Sequence, residues 1–180
     1  MKQCFYFLLL LLLPYSGVAQ YLTGAGTKWG DEFTEWIIYT DDEELQGELI
    51  MRWQNRNDWS EWDYRIGDVM GGFKLVWQND PGQWELRGNG RVITARTVYP
   101  RDFRQWRITD NSHTLVLRSR WTNNFNEWQL RDDEFGNLDI YTQWEDDPRE
   151  WIITDELDER ISLEMKLTAV FLALLTSAPK

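Results

Sequence analysis

The side chains that could do chemistry in this chain are mainly carboxylates, which crowd four short segments at 41–44, 132–134, 155–156 and 158–159. Clustered carboxylate oxygens are the ligands that Ca²⁺ prefers in proteins. None of the segments has the alternating Asp-x-Asp-x-(Asp/Asn)-Gly order of a hand-type calcium loop. The pattern therefore favours a solvated acidic rim over calcium binding, and we predict no metal site and no cofactor.

Catalytic motifs are few. His113 is the only histidine, and it lies in the polar run 110–113, which is typical of an exposed loop. The sequence has no Gly-x-Ser-x-Gly elbow, phosphate loop or multi-histidine metal motif. We predict that the protein is not an enzyme. A glycosidase with two carboxylates stays open as an alternative, because acids are plentiful and their separation is unknown.

A Glu or Gln precedes each of six regularly spaced tryptophans. An amide cannot replace a carboxylate that acts as a catalytic acid. We therefore predict that these side chains face solvent and bond across strands or to the short turns, at Glu35, Glu61, Gln83, Gln105, Glu127 and Glu150.

The twelve tryptophans suggest a second chemistry, because sugar rings stack on exposed indoles. Eleven of them alternate with charged residues and recur in every repeat, which predicts a buried core layer. Trp59 lies outside that pattern, in the turn at 57–60. It is the one residue that we predict as a candidate ligand contact, although packing within the turn is the simpler role.

The tryptophans recur with the period of a β-hairpin. The members of the first series are 26, 22, 22, 22 and 23 residues apart, and they are Trp36, Trp62, Trp84, Trp106, Trp128 and Trp151. A second series interleaves with it and consists of Trp29, Trp53, Trp77, Tyr99, Trp121, Trp144 and Leu167. In three ungapped copies, six residues separate the two aromatics and include turn formers such as Asn79 to Gly82. This even spacing predicts direct cross-strand partners on one face, both across the short turns and across the fifteen-residue intervals such as Trp62 to Trp77.

Each predicted strand alternates apolar and polar residues, as a half-solvated antiparallel sheet does. We therefore predict an all-β, up-and-down meander of about 13 short strands, built from six Trp-rich hairpin repeats of about 22 residues. A tryptophan face of that size must be shielded from solvent. A sheet curled into a barrel is favoured, and an open hairpin-repeat sheet covered by a tail or partner is the alternative. An outer-membrane barrel fits less well, because the alternation runs for about seven residues where membrane strands need about nine to eleven.

The C-terminal segment 161–178 breaks the pattern, since 169–175 is apolar at almost every position. As a strand it would be buried on two sides or would close the sheet against 21–23. As a short helix it would plug the apolar face. Either way we predict that it closes the core, with membrane or partner docking as the alternative.

The first nineteen residues have a basic start at Lys2, an apolar core and small residues before a cut, which predicts a signal peptide at 1–19 and one domain at 20–180. Cys4, the only cysteine, would leave with it, and a cysteine-free exported chain favours a bacterial source. No other stretch is long enough for a transmembrane helix. Removing Lys2 leaves 18 basic and 30 acidic side chains, a balance of about −12 that argues against nucleic acid as a partner.

The hairpin period and the aromatic pairs resemble the Trp- and Tyr-punctuated hairpin arrays of the MORN repeat class, across most of 20–167. This resemblance implies a scaffold or interaction surface. We therefore expect an exported, non-catalytic module of the periplasm, cell surface or exterior that is structural or binds another macromolecule. The expected partner is an envelope or extracellular protein or a glycan. A carbohydrate-binding module that uses exposed Trp and a glycosidase-like enzyme are the alternatives, and the oligomeric state stays open.

Overall fold

The computed structural model describes residues 21–179, which form a barrel of twelve antiparallel strands around one helix. The predicted signal peptide at 1–19 lies outside the described residues. The strands are β1 (Leu22–Trp29), β2 (Glu32–Thr40), β3 (Gly47–Trp53), β4 (Asp58–Ile66), β5 (Val69–Trp77), β6 (Asp80–Gly88), β7 (Arg91–Tyr99), β8 (Asp102–Thr109), β9 (Thr114–Ser119), β10 (Glu127–Asp132), β11 (Gly136–Trp144) and β12 (Asp147–Leu157). A 3-10 turn at Gln54–Arg56 precedes β4, and helix α1 spans Leu163–Ser177.

Each strand pairs with its neighbours in the chain, and the first strand pairs with the last. The seam between β1 and β12 is antiparallel, with Gly24 opposite Ile152 and Gly26 opposite Glu150. A side chain at Gly24 would press against the carbonyl of Trp151, so the small residues of β1 allow this close pairing. The closed meander confirms the all-β prediction and the curled barrel.

Helix α1 fills the barrel. It is buried on all sides from Glu164 to Leu175, and Ser162 caps its first turn by accepting a hydrogen bond from the Met165 N–H. A barrel of eight strands is just filled by its own side chains, so twelve strands leave room for a further element. The 15-residue helix is about 22 Å long, close to the height of nine-residue strands tilted by about 40°.

The barrel has twelve strands, one fewer than the approximate number of 13 that was predicted. The segment that would have supplied the last strand is the helical plug, which was one of the two forms expected for 161–178. Its apolar residues on every side match a helix that touches strands all around it, and such a helix has no polar face.

Tight turns set the register at the end of the barrel where α1 begins. Between β6 and β7, Asn89 and Gly90 have φ values of +48° and +72°, and Gly88 pairs with Arg91. Two central residues with positive φ are typical of the type I′ turn, whose twist matches that of the flanking strands. The strand pairing that these turns fix therefore continues along the strands toward the other end of the barrel.

At the other end, five hairpins contain the same irregularity. In the hairpin of β5 and β6, Leu75 pairs with Trp84 and Trp77 pairs with Asp80, so β6 has two extra residues between the two pairs. Equivalent shifts occur before Trp29, Trp53, Tyr99 and Trp144. Such bulges bend and twist the strand end, and the predicted direct pairing of Trp77 with Trp84 is wrong for this reason.

The bulges divide the two aromatic series between the inside and the outside. Every member of the first series is buried, whereas the aromatic members of the second series are 40 to 62% exposed. The prediction of one buried layer of eleven tryptophans is thus confirmed for six of them and wrong for Trp29, Trp53, Trp77, Trp121 and Trp144. The fifteen-residue pairing is wrong as well, since Trp62 lies opposite Phe73 and Trp84 opposite Ala95.

Candidate functional site

The end of the barrel that contains the bulges is the candidate functional face, and we call it the aromatic end. The Asp or Asn four residues before a first-series Trp accepts the backbone N–H two residues on, which is an Asx turn. Five hairpins have this bond, and the accepting residues are Asp58, Asp80, Asp102, Asn124 and Asp147. In four of these hairpins, at Asp58, Asp80, Asp102 and Asp147, the turn fixes the extra residues of the bulge with a local side-chain contact.

A second bond holds the buried indoles in place. Trp84 donates its Nε1–H to the carbonyl of Pro81 at 3.0 Å, and Trp128 donates to the carbonyl of Phe125 at 2.7 Å. Trp36, Trp62 and Trp151 bond the carbonyl three residues earlier in the same way. The aromatic or Pro of five of the six repeats therefore supplies the acceptor that a buried indole requires.

The aromatic residues of the second series lie on the outer wall, around the barrel, at the aromatic end. Trp29 donates its Nε1–H to Glu35 at 3.1 Å, and Trp77 donates to Gln83 at 3.2 Å. Basic side chains pack over two further rings, with Arg56 at 5.4 Å from Trp53 and Arg120 at 5.4 Å from Trp121. We call Trp29, Trp53, Trp77, Tyr99, Trp121 and Trp144 the aromatic ring. Trp29, Trp53, Trp77 and Trp121 are thus held in position while they remain exposed.

In several repeats, the Glu or Gln before the first-series Trp bonds to a neighbouring side chain, as its position predicted. Glu35 and Gln83 accept the indole N–H groups of the aromatic ring. Glu61 forms ion pairs with Arg52 and Lys74 of the neighbouring strands. The Lys74 hydrogen bond is the largest of the effects that lower the pKa of Glu61, which keeps this carboxyl ionised at neutral pH.

A cavity of about 600 Å³ opens at the mouth of the barrel, above the last turn of α1. Trp59, Trp84 and Trp106 line it together with two phenylalanines, and its polar groups include Asp58 and Gln78. Its size and its mixture of aromatic walls with few polar groups are typical of ligand sites in barrel mouths. We call it the mouth pocket.

Trp59, the predicted ligand contact, lies in the wall of the mouth pocket and not in the aromatic ring. It is half-buried, its ring centroid is 5.5 Å from that of Trp62, and its Nε1–H is donated to Asn57 at 2.9 Å. Trp59 therefore packs within its turn, as expected, and also lines a pocket. Its contact with a ligand stays a prediction. Trp106 also lines the pocket, although the sequence did not indicate it as a ligand contact. Among residues 21–179 it is the first-series Trp whose buried Nε1 has no hydrogen-bond partner.

The other sequence candidates are not brought together. His113 lies beside Asp110, with Nδ1 3.4 Å from Oδ2, and its ring meets Phe135 edge-on. The acidic segments lie at the opposite end, where Asp132 and Asp155 bond to backbone N–H groups. Within the described range 21–179, no three His, Cys, Asp or Glu side chains form a group suited to a metal ion.

The end of the barrel opposite the mouth contains buried polar groups. Lys166 of α1 forms an ion pair with Asp155 of β12, with Nζ 2.9 Å from Oδ2. The Arg91 guanidinium lies 3.7 Å from Glu164, and the buried hydroxyl of Tyr64 has no hydrogen-bond partner among residues 21–179. Burial, and secondarily the charge of Glu164, raise the pKa of Tyr64. These groups anchor the start of the helix.

Asp147 provides a pH test of the bulge geometry. A hydrogen bond from the Arg149 side chain is the largest of the effects that hold its pKa at about 2. A lowered folded-state pKa means that the contact is present above the unfolded value of about 3.9 and is lost as the pH falls through 2. We expect Arg149→Gln to raise the carboxyl pKa of Asp147 in an NMR titration. Arg104→Gln should raise that of Asp102 and leave Asp147 unchanged, and equal pKa values in all three proteins would contradict the assigned contacts.

Comparison with protein families, curated proteins and solved structures found no match to this chain. No helix in the part of the chain that the structure describes is long and apolar enough to span a membrane.

Proposed function

We propose that this protein is an exported, non-catalytic module of the cell envelope or exterior that binds carbohydrate through the aromatic end of its barrel. The observation that supports this most is the exposure of the aromatic ring. Burying a large apolar side chain contributes about 1.5 to 3 kcal/mol, and the bulges forgo that stabilisation at five hairpins. Aromatic rings that are exposed yet held by hydrogen bonds and cations offer flat stacking surfaces at low entropic cost.

The mouth pocket extends the same face. Its indoles can stack on a sugar ring, and its amide and carboxylate groups can bond the hydroxyls. Asp58 is the one carboxylate among the lining residues, and its Oδ1 accepts the Ser60 N–H. A glycosidase needs two carboxyl groups that face each other across the scissile bond. The lining of this pocket therefore supports binding rather than hydrolysis.

Affinity electrophoresis in gels that contain single polysaccharides, neutral and acidic, tests the proposal. The triple variant Trp29→Ala, Trp77→Ala, Trp144→Ala should migrate more freely than wild type in any gel that retards the wild type. About 1 kcal/mol for each lost stacking contact corresponds to about fivefold weaker binding per residue.

The matched control removes three exposed apolar side chains from the opposite end, as Leu45→Ala, Met70→Ala, Val92→Ala. It should migrate like the wild type. Equal retardation of the wild type and the Trp variant in every gel would contradict the proposal. Binding to phosphatidylcholine vesicles without any retardation would show that the ring docks on a membrane surface.

A further inference from the structure

We infer that the outer wall of strands β6 to β10 is a binding surface for an acidic polysaccharide, one that bears carboxylate groups along its chain. The inference extends the proposed function and rests on it only in the choice of a polysaccharide as the polyanion. It depends on arginine side chains, whereas the proposed function depends on the aromatic ring.

Charge is distributed unevenly along this acidic chain. Residues 85–131 contain nine arginines and four carboxylates, although the formal net charge of the whole protein is −11. The excess of positive charge thus lies on one sector of the barrel wall. A local field of this kind attracts anionic partners even when the overall charge of a protein is negative.

Three of these arginines form a ladder across adjacent strands. Arg96 of β7 lies directly opposite Arg107 of β8, and Arg118 of β9 lies opposite Gln105 of β8. Glutamines complete the row on both sides, since Gln83 pairs with Arg96 and Gln129 pairs with Arg118. We call Gln83, Arg96, Gln105, Arg107, Arg118 and Gln129 the arginine–glutamine ladder.

The ladder lacks the carboxylates that accompany other arginines of the wall. Arg52, Arg87 and Arg131 each form an ion pair with an acid on the same or the next strand. Within residues 21–179, Arg96, Arg107 and Arg118 form no ion pair and no side-chain hydrogen bond. Like charges directly opposite each other destabilise a sheet, so the Arg96 and Arg107 pair is costly until an anion lies between them.

A groove of about 860 Å³ runs along this surface beside the aromatic ring. Arg96, Arg101 and Arg107 line it together with Gln83 and Asp80, and the Asp80 Oδ1 accepts the Gly82 N–H. The Gln83 side chain also accepts the Trp77 indole N–H. Cationic forks and amides therefore meet in one groove, and the exposed Trp77 indole is bonded to one of those amides.

This combination fits a uronate polymer. The guanidinium fork binds carboxylates through two parallel hydrogen bonds, and the glutamine amides can donate to and accept from hydroxyl groups. The exposed rings of Trp77 and Tyr99, beside the groove, offer stacking surfaces. Nucleic acid fits less well, because the acidic surface outside this sector repels a long phosphate chain.

The test is titration calorimetry with polygalacturonate at low salt, on wild type and on Arg96→Gln, Arg107→Gln, Arg118→Gln. The ladder variant should bind at least tenfold more weakly, and the wild-type affinity should fall as salt is added, because counterions are released on binding. The thermal midpoint of the ladder variant should equal or exceed that of the wild type, because the like-charge pair is gone. A folding defect would therefore be recognised.

The matched control is Arg52→Gln, Arg65→Gln, Arg160→Gln, which removes the same charge from arginines outside β6 to β10 that have ion-pair partners. It should bind like the wild type. An equal loss of affinity in both variants would overturn the ladder as a site, as would no wild-type binding to polygalacturonate. Tighter binding to single-stranded DNA or to anionic vesicles would overturn the assigned partner. If only gels of neutral polysaccharide retarded the protein, the proposed function would stand and the acidic polysaccharide would be excluded as the partner.

Discussion

Replacing Lys166 by methionine is expected to lower the free energy of unfolding by about 3 to 5 kcal/mol, because it leaves the Asp155 carboxylate buried without its cation. The two side chains are 2% and 0% exposed. Their contact lacks hydrogen-bond geometry at Nζ and is therefore an ion pair within a nearly dry site. The ring of Tyr21, 4.6 Å from Nζ, covers the ammonium group on another side.

The size of the effect follows from the place of Asp155 in the fold. Its Oδ2 accepts the Leu22 N–H at 3.3 Å and its Oδ1 accepts the Leu157 N–H at 3.1 Å. The same carboxylate thus joins β1, β12 and α1 at the barrel seam. An uncompensated charge here would disturb closure of the sheet as well as attachment of the helix.

Urea unfolding of four proteins tests this interpretation. Lys166→Met should show the loss, and Lys166→Met with Asp155→Asn should recover at least half of it, since the neutral amide keeps an acceptor for the backbone. Lys74→Met, which removes a well-exposed cation from the ion pair with Glu61, should change stability by less than about 1 kcal/mol. A loss below about 1 kcal/mol for Lys166→Met would mean that water reaches the pair.

The sequence was sufficient to predict the hairpin repeat, the all-β class and the burial of the first Trp series. Those features follow from periodicity, which is a local property of the chain. The side of the sheet on which the second series lies depends on two extra residues in each hairpin. A symmetric turn and a bulged turn give the same spacing between Trp77 and Trp84, so spacing alone cannot distinguish them.

The signal that could have revealed the bulge is the recurrent Asp or Asn four residues before the first-series Trp. An acceptor such as Asp80 that bonds the N–H two residues on favours an Asx turn in place of a ladder pair. The register predicted from the tryptophans places Arg96 opposite Thr109. The true register places it opposite Arg107, which is why the arginine–glutamine ladder was not found.

The final segment was ambiguous for a different reason. Residues 169–175 are apolar at almost every position, and a strand buried on both faces and a helix buried on all sides give the same pattern. The interior width of the barrel decides between them, and that width depends on how many strands close the sheet. Strand number is a global property that no single repeat encodes.

Phe171→Ala is expected to be the most destabilising apolar truncation in α1, with a loss of about 3 to 5 kcal/mol. The Phe171 ring stacks on Phe73 with centroids 4.0 Å apart, and it meets Trp84 edge-on at 5.0 Å and Trp62 at 5.8 Å. Because strands on all sides form a closed sheet, the walls cannot collapse easily into the space that the ring leaves. The measured loss of unfolding free energy should therefore include the full cost of the cavity.

The measurement is guanidinium unfolding followed by tryptophan fluorescence, with Tyr99→Ala as the matched control. Tyr99 is an aromatic residue of the exposed ring, and its loss should change stability by less than about 1 kcal/mol. A dry apolar cavity beside Phe73 should also bind benzene, so benzene is expected to raise the midpoint of Phe171→Ala and leave the wild type unchanged. If Phe171→Ala lost no more stability than Tyr99→Ala, the helix would be a loosely held lid, and the barrel would have to be stable without its plug.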